Sequence, residues 1–85
     1  MFKIKAADGT NNLSGKKITQ IRKSKKLSQR KLAEKMQLLG FDVDHYFIRR
    51  VENGERFVTD IDLVIFSRAL EVPISDLLST EDANL

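Results

Sequence analysis

The chain is poor in the features that usually staple or anchor a small protein. Its 85 residues include no cysteine, no tryptophan, one proline and one histidine. Without cysteine, neither disulfide bonds nor thiolate metal sites can hold the fold together. No apolar run approaches the roughly 18 residues of a membrane-spanning helix, so no such helix is expected. Stability must therefore come from one hydrophobic core.

Sequence signals of catalysis and of export are also missing. The segment MFKIKAADG has no long apolar stretch of the kind found in a secretory signal. His45 has no serine or cysteine nucleophile beside it, and GERFVTD lacks the lysine and spacing of a phosphate loop. We therefore expect a cytoplasmic protein of bacterial or phage origin that is not an enzyme and needs no cofactor.

The charge of the chain is unevenly distributed. Residues 1–50 contain 13 Lys/Arg and 4 Asp/Glu, which gives +9, whereas residues 51–85 contain 2 and 8, which gives −6. The two halves add up to the net charge of +3. Such a split indicates that one surface attracts polyanions. The alternative is that long helices simply carry solvated lysines.

Two helices are predicted in the basic half. Helix 1 should span 13–25, with Asn12 as its N-cap and Ile18 and Ile21 on its core-facing side. Helix 2 should begin after the N-cap Ser28 and end at Gly40. Its predicted apolar stripe comprises Leu32, Ala33, Met36 and Leu39.

Three further helices are predicted downstream, and no segment indicates a strand. Asp44 should cap helix 3, and Gly54 fits the left-handed position after it. Helix 4 should begin after Thr59, with an approximate capping box, and helix 5 should span 73–78. The fold class is therefore all-α. The domain should cover 12–79, between a basic arm (1–11) that is partly disordered or loosely docked and an acidic tail (80–85).

Three segments occur in the order of a known DNA-binding domain. They are 18-ITQIRKSKKLSQRKLAEKM-36, 48-IRRVENG-54 and VTDIDLVIFSRALEVPISDLL. Over about 12–79 the chain resembles the Cro and phage-repressor type of helix-turn-helix domain, the XRE family. The resemblance implies a compact, lambda-repressor-like five-helix bundle in which helices 2 and 3 form the motif. Helix 3, about 44–53, would enter the major groove.

The resemblance also implies roles for individual residues. Arg22 and Glu52 would form an ion pair between helices 1 and 3, which we interpret as structural. The partner would be double-stranded DNA with a palindromic operator, bound by a homodimer. The implied base-reading residues are His45, Tyr46 and Arg49, and Arg49 is the strongest because arginine can pair with both guanine acceptors. The resemblance implies phosphate contacts by Gln29, Arg56 and Thr59, and we expect Arg30 and Arg50 to contact phosphate as well.

The chain departs from the family pattern between the two motif helices. Ile48 follows Ala33 by fifteen residues, where the family has about ten. About five residues within QLLGFDV are therefore extra, so that either helix 2 gains a turn or the turn becomes a loop. Phe41 and Val43 should pack this extension onto the domain. Phe47 should support it rather than touch DNA.

Less specific interpretations remain for several residues. Asp42, Asp44 and His45 could suggest a metal site, but caps and turns explain the aspartates better, and no metal is expected. Tyr46 could contact a protein instead of a base. Lysines 23, 25 and 26 end helix 1, where cations favour the helix dipole without any DNA. The alternative function is therefore a protein-interaction module of the same fold, such as an antitoxin-like or anti-regulator partner.

Overall fold

The computed structural model describes residues 5, 6 and 8–78, so the tail 80–85 lies outside the described residues. Within the described part, the chain forms five α-helices and no strand, which confirms the predicted fold class. None of these helices is long and apolar enough to cross a membrane. The helices are α1 Gly15–Ser24, α2 Gln29–Leu38, α3 His45–Glu52, α4 Asp60–Leu70 and α5 Ile74–Leu77.

One hydrophobic core joins the five helices. The predicted apolar positions of α1, α2 and α3 are buried except for Ile21, which is partly buried, and Leu39, because spacings of three and four place the others on one face of each helix. Ile65 of α4 is buried as well, whereas Leu63 is only partly buried. The core consists of Ile18, Leu32, Ala33, Met36, Ile48, Val51, Ile65, Phe66, Ala69, Leu70 and Leu77.

Three predicted helix starts are confirmed by their capping hydrogen bonds. Ser28 Oγ accepts from the backbone of Lys31, and Asp44 Oδ1 accepts from that of Phe47, each at 3.0 Å. Thr59 and Asp62 form a full capping box, with two reciprocal bonds of 3.0 Å. Each such cap contributes about 1 kcal/mol by satisfying an amide that the helix itself leaves free.

The prediction of Asn12 as an N-cap is wrong. Helix α1 begins at Gly15 after Ser14, which makes no side-chain capping bond. Asn12 instead lies at the crossing of α1 and α3. Its Oδ1 accepts from the backbone of Gly15 at 2.7 Å, and its Nδ2 donates to the carbonyl oxygen of Val51 at 3.1 Å. A partner 39 residues away therefore determines its position.

The extra residues of the motif lie in a loop, residues 39–44, that follows the last turn of α2. Gly40 has a φ of +96°, and the amides of Gly40 and Phe41 bond back to carbonyl oxygens in that last turn. Phe41 and Val43 pack against the core, as predicted. Leu39 was predicted to be buried, but it is 44% exposed because the helix ends before it.

Candidate DNA-binding surface

Helix α3 has one buried face and one exposed face. Its buried residues, Ile48 and Val51, belong to the core. The opposite side carries residues spaced at three, four and seven positions from the first, which places them on one face of a helix. We call this set the α3 stripe; it consists of the exposed residues Tyr46, Arg49, Arg50 and Asn53.

The predicted base-reading residues meet at this stripe. Tyr46 is 57% exposed and Arg49 is exposed. His45 lies at the edge of the stripe, half-buried, with its ring centroid 4.1 Å from that of Tyr46. The two rings are therefore neighbours at the start of α3, about one turn before Arg49, whose guanidinium can donate to an anion or a base.

Arg22 and Glu52 form the ion pair that the resemblance implied. Arg22 Nε lies 2.7 Å from Glu52 Oε2, and a second guanidinium nitrogen lies 3.0 Å from Oε1. Arg22 also donates to the carbonyl oxygen of Leu27 at 2.8 Å, after the end of α1. Both charged side chains are nearly buried, at 10% and 5% exposure. The pair therefore ties α1 and the turn that follows it to the end of α3.

Gln29 joins the same cluster. Its Nε2 donates to Glu52 Oε1 at 3.1 Å, so the predicted phosphate contact lies between α2 and α3 and is only half-exposed. A glutamine amide has two N–H donors. One of them is used by Glu52, and the other is the donor that a phosphate could take.

The other predicted phosphate contacts are spread over three elements. Arg30 is exposed in the first turn of α2, and Arg50 belongs to the α3 stripe. Thr59 uses its hydroxyl oxygen as an acceptor to cap α4, which leaves its O–H as a donor. Within the described residues, no hydrogen bond or ion pair joins these three side chains.

Arg56, the fifth of these residues, packs on an aromatic pair. Its guanidinium carbon lies 4.8 Å from the ring centroid of Phe47, and that ring stacks on Phe66 of α4 with centroids 5.7 Å apart. Phe47 was predicted to support the inserted turn, yet its ring contacts are with α4 and with the chain before α4. Arg56 is half-buried as a result.

The segment before α1 is attached to the end of α3. Asn11 donates from its backbone to the carbonyl oxygen of Gly54 at 2.8 Å and from its side chain to that of Glu55 at 2.9 Å. Gly54 has a φ of +76°, and a Cβ there would lie 2.6 Å from the Cβ of Thr10. Residues 10 and 11, predicted as part of a loosely docked arm, are therefore packed and hydrogen-bonded.

Asp8 is a hub of hydrogen bonds within this segment. Its Oδ1 accepts from the hydroxyl of Thr10 at 2.7 Å and from the backbone of Thr10 at 3.0 Å, and its Oδ2 lies 2.9 Å from Lys16 Nζ. The bonds from Thr10, followed by the one from Lys16, hold the pKa of Asp8 well below its usual range. Asp8 is therefore ionised at neutral pH.

Two features of this surface were missed in the sequence. Asn53 closes the α3 stripe, and its spacing of four residues from Arg49 was a visible signal. The roles of Asn11 and Asn12 at the end of α3 had no local signal, because their partners lie 39 to 44 residues away. Among the described residues no group of three His, Asp or Glu side chains could hold a metal ion.

The fold and this surface define the class of the protein as a helix-turn-helix domain. A family model described as helix-turn-helix matches residues 18–77. The chain belongs to the XRE-type helix-turn-helix family, and it is a DNA-binding transcription regulator. That family consists of regulatory DNA-binding proteins, not of enzymes.

Two solved structures are similar to this one. The restriction-modification controller protein C.AhdI from Aeromonas hydrophila is 27% identical, with a TM-score of 0.66 over 74% of this chain and 84% of that protein. The clp gene regulator ClgR from C. glutamicum is 24% identical, with a TM-score of 0.68 over 78% and 79%, and supports the fold alone. No curated protein sequence matches the chain.

Proposed function

We propose that the chain is a sequence-specific, repressor-like regulator that reads the major groove with α3. The observation that carries this proposal is the α3 stripe, which exposes Arg49 in the middle of a helix seated on the core by Ile48 and Val51. A helix with one buried face can be held rigidly while its other face enters the groove.

In this proposal, base contacts and phosphate contacts have separate roles. Arg49 donates to the N7 and O6 acceptors of a guanine, and the His45–Tyr46 pair packs against neighbouring base edges. Arg30, Arg50 and the free amide hydrogen of Gln29 bind phosphates, which sets the register without reading sequence. Arg56 and Thr59 extend these contacts towards α4. The mechanism needs no catalytic group and no cofactor.

The operator is proposed to be palindromic, because one recognition helix covers only a half-site and a symmetric homodimer covers two. The candidate interface is the exposed apolar side of α4, where Ile61 is 65% exposed and Val64 is 37% exposed. Ile74 and Leu78 of the α5 region are also exposed. Since the target is bacterial or phage DNA, the proposed site of action is the cytoplasm.

The test is to select bound sequences from a random DNA pool and then to measure Arg49→Ala on the selected site and on random DNA. We expect the variant to lose about 1–3 kcal/mol of discrimination between the two DNAs, while its sequence-independent binding falls much less. Lys35→Ala, which removes a positive charge from the last turn of α2, is the matched control and should keep the discrimination.

The opposite outcomes are also informative. The absence of salt-sensitive DNA binding at about 10 μM protein would contradict the proposal. Capture of a protein partner that survives Arg49→Ala would then favour the interaction module. The observation in favour of that second function is Leu38, which is 88% exposed before the inserted loop.

A further inference from the structure

A polar groove runs between α1 and the end of α3. On the α1 side it is lined by Lys16, Gln20 and Lys23, which lie four and three residues apart and so share one face of the helix. On the other side it is lined by Gln29, Glu52 and Asn53. None of the residues on the α1 side has a role in the function proposed above.

The groove is electrically positive despite Glu52. That carboxylate accepts two hydrogen bonds from Arg22 and one from Gln29, so its charge is neutralised where it lies. The two lysines on the α1 side are exposed, and the side chain of Lys16 is 72% exposed. Two cations and several amide groups around one groove suit a phosphate chain.

The groove continues the surface that faces DNA. Asn53 is both the last residue of the α3 stripe and part of the groove lining. The 8 residues of α3 make it about 12 Å long, close to the width of the major groove, about 12 Å. A sugar-phosphate backbone that borders the end of α3 therefore passes the protein groove between α1 and α3.

A carboxylate of the protein already pairs with one of the two cations. Asp8 lies 2.9 Å from Lys16 and is held in place by Thr10. Both side chains of this ion pair are exposed, at 43% and 72%, and exposed pairs contribute little to stability. A phosphate presents the same kind of oxygen acceptors as the carboxylate, so it can replace Asp8 at Lys16.

We propose that this groove is an additional DNA-backbone site, in which Lys16 and Lys23 bind phosphate and Asp8 competes with the phosphate for Lys16. The proposal rests on the DNA-reading function proposed above. The proposal gives α1 a direct role in DNA affinity. From the sequence, the lysines at the end of this helix needed only the helix dipole as an explanation. The proposal also makes Asp8 a residue that weakens DNA binding.

The test is a set of DNA titrations of the full chain on the selected site, each at several salt concentrations. Asp8→Asn keeps an oxygen acceptor for Thr10 but removes the competing charge, so affinity should rise by about two- to fivefold. The same change in a Lys16→Gln background should give a much smaller rise. Lys23→Gln should lower the salt slope by about 0.9, the value for one phosphate contact.

The controls separate this site from the rest of the surface. Lys35→Gln removes the same charge outside the groove and should change the slope less than Lys23→Gln does, while thermal unfolding of each variant reports its folding. Unchanged affinity and slope for Asp8→Asn and Lys23→Gln, with discrimination still lost in Arg49→Ala, would overturn the groove site alone. Failure of every variant and of the parent protein to bind DNA would overturn the proposed function itself.

Discussion

At the scale of single residues, Glu52 is a point where several elements meet. It accepts hydrogen bonds from Arg22 of α1 and Gln29 of α2 while it ends α3, so one carboxylate joins three helices. Its side chain is 5% exposed. Removing one partner of a nearly buried ion pair destabilises the fold, because the remaining charge keeps its desolvation penalty without a counter-charge.

We therefore expect Glu52→Gln to lower the free energy of unfolding by about 3 kcal/mol, since the guanidinium of Arg22 would stay nearly buried without a counter-charge. Urea denaturation would measure the change. The matched control is Glu34→Gln, which breaks an exposed pair with Lys31 whose atoms are 3.4 Å apart. The control should change stability by less than about 1 kcal/mol. Equal effects at both positions would argue against the structural role.

The sequence was a good guide to residues whose partners are local. The three helix caps depend on an amide three residues ahead, and each was predicted. Asn12 was wrongly predicted to cap helix 1, because its side-chain amide instead donates to the carbonyl oxygens of Val51 and Arg56 across the fold. The contacts of Phe47 with Phe66 and Arg56 were not predicted either, since they depend on how α4 packs.

At the scale of elements, the crossing of α1 and α3 depends on one glycine. A Cβ at Gly15 would overlap the carbonyl oxygen of Val51 and would lie 3.1 Å from that of Glu52. The start of α1, where free amides give a partial positive charge, thus lies on the carbonyl end of α3. This contact allows the close approach of α1 to the end of α3.

Glycine in a helix is ordinarily worse than alanine by about 1 kcal/mol, so Gly15→Ala should stabilise a helix that is free of contacts. For this protein we expect Gly15→Ala to lower the free energy of unfolding by about 1–3 kcal/mol. The added methyl group would meet backbone carbonyl oxygens, which cannot move aside as a side chain can. Thermal and urea unfolding would measure it. Gln20→Ala, at an exposed position of α1, should stay within about 0.5 kcal/mol. Stabilisation by Gly15→Ala would show that the two helices are less closely packed.

The connection between α2 and α3 marks the limit of prediction at this scale. Its location, and the packing of Phe41 and Val43, followed from the count of residues between Ala33 and Ile48. The sequence did not decide between a longer helix 2 and a loop, because that choice depends on the positive φ that Gly40 adopts. The exposure of Leu39 follows from that choice.

At the scale of the whole molecule, the charge asymmetry of the chain matches the proposal that one side binds DNA and the other binds a second copy of the chain. The basic half supplies α1, α2 and most of α3, which carry the cationic side chains of the groove and of the α3 stripe. The acidic half supplies α4 and α5, with Asp60 and Asp62 in the first turn of α4. Such a division favours approach to DNA by one side and leaves the other side for a second copy.

The proposed self-association surface can be tested by placing a charge on it. Ile61→Glu on α4 should convert a dimer into a monomer, because a desolvated carboxylate without a partner opposes burial of that face. Sedimentation velocity would measure the mass, and titrations would compare a palindromic site with a single half-site. Affinity for the palindrome should fall by at least about tenfold, while half-site affinity stays near that of the parent protein.

The control for this change is Leu38→Glu, which places the same charge on an even more exposed leucine at the end of α2. It should leave the mass and the preference for the palindrome unchanged if α4 carries the interface. If Leu38→Glu is monomeric and Ile61→Glu stays dimeric, the interface lies at the inserted loop instead of at α4. In that case the five extra residues, and not the α4 face, would set the spacing between the two recognition helices and hence the spacing of the half-sites.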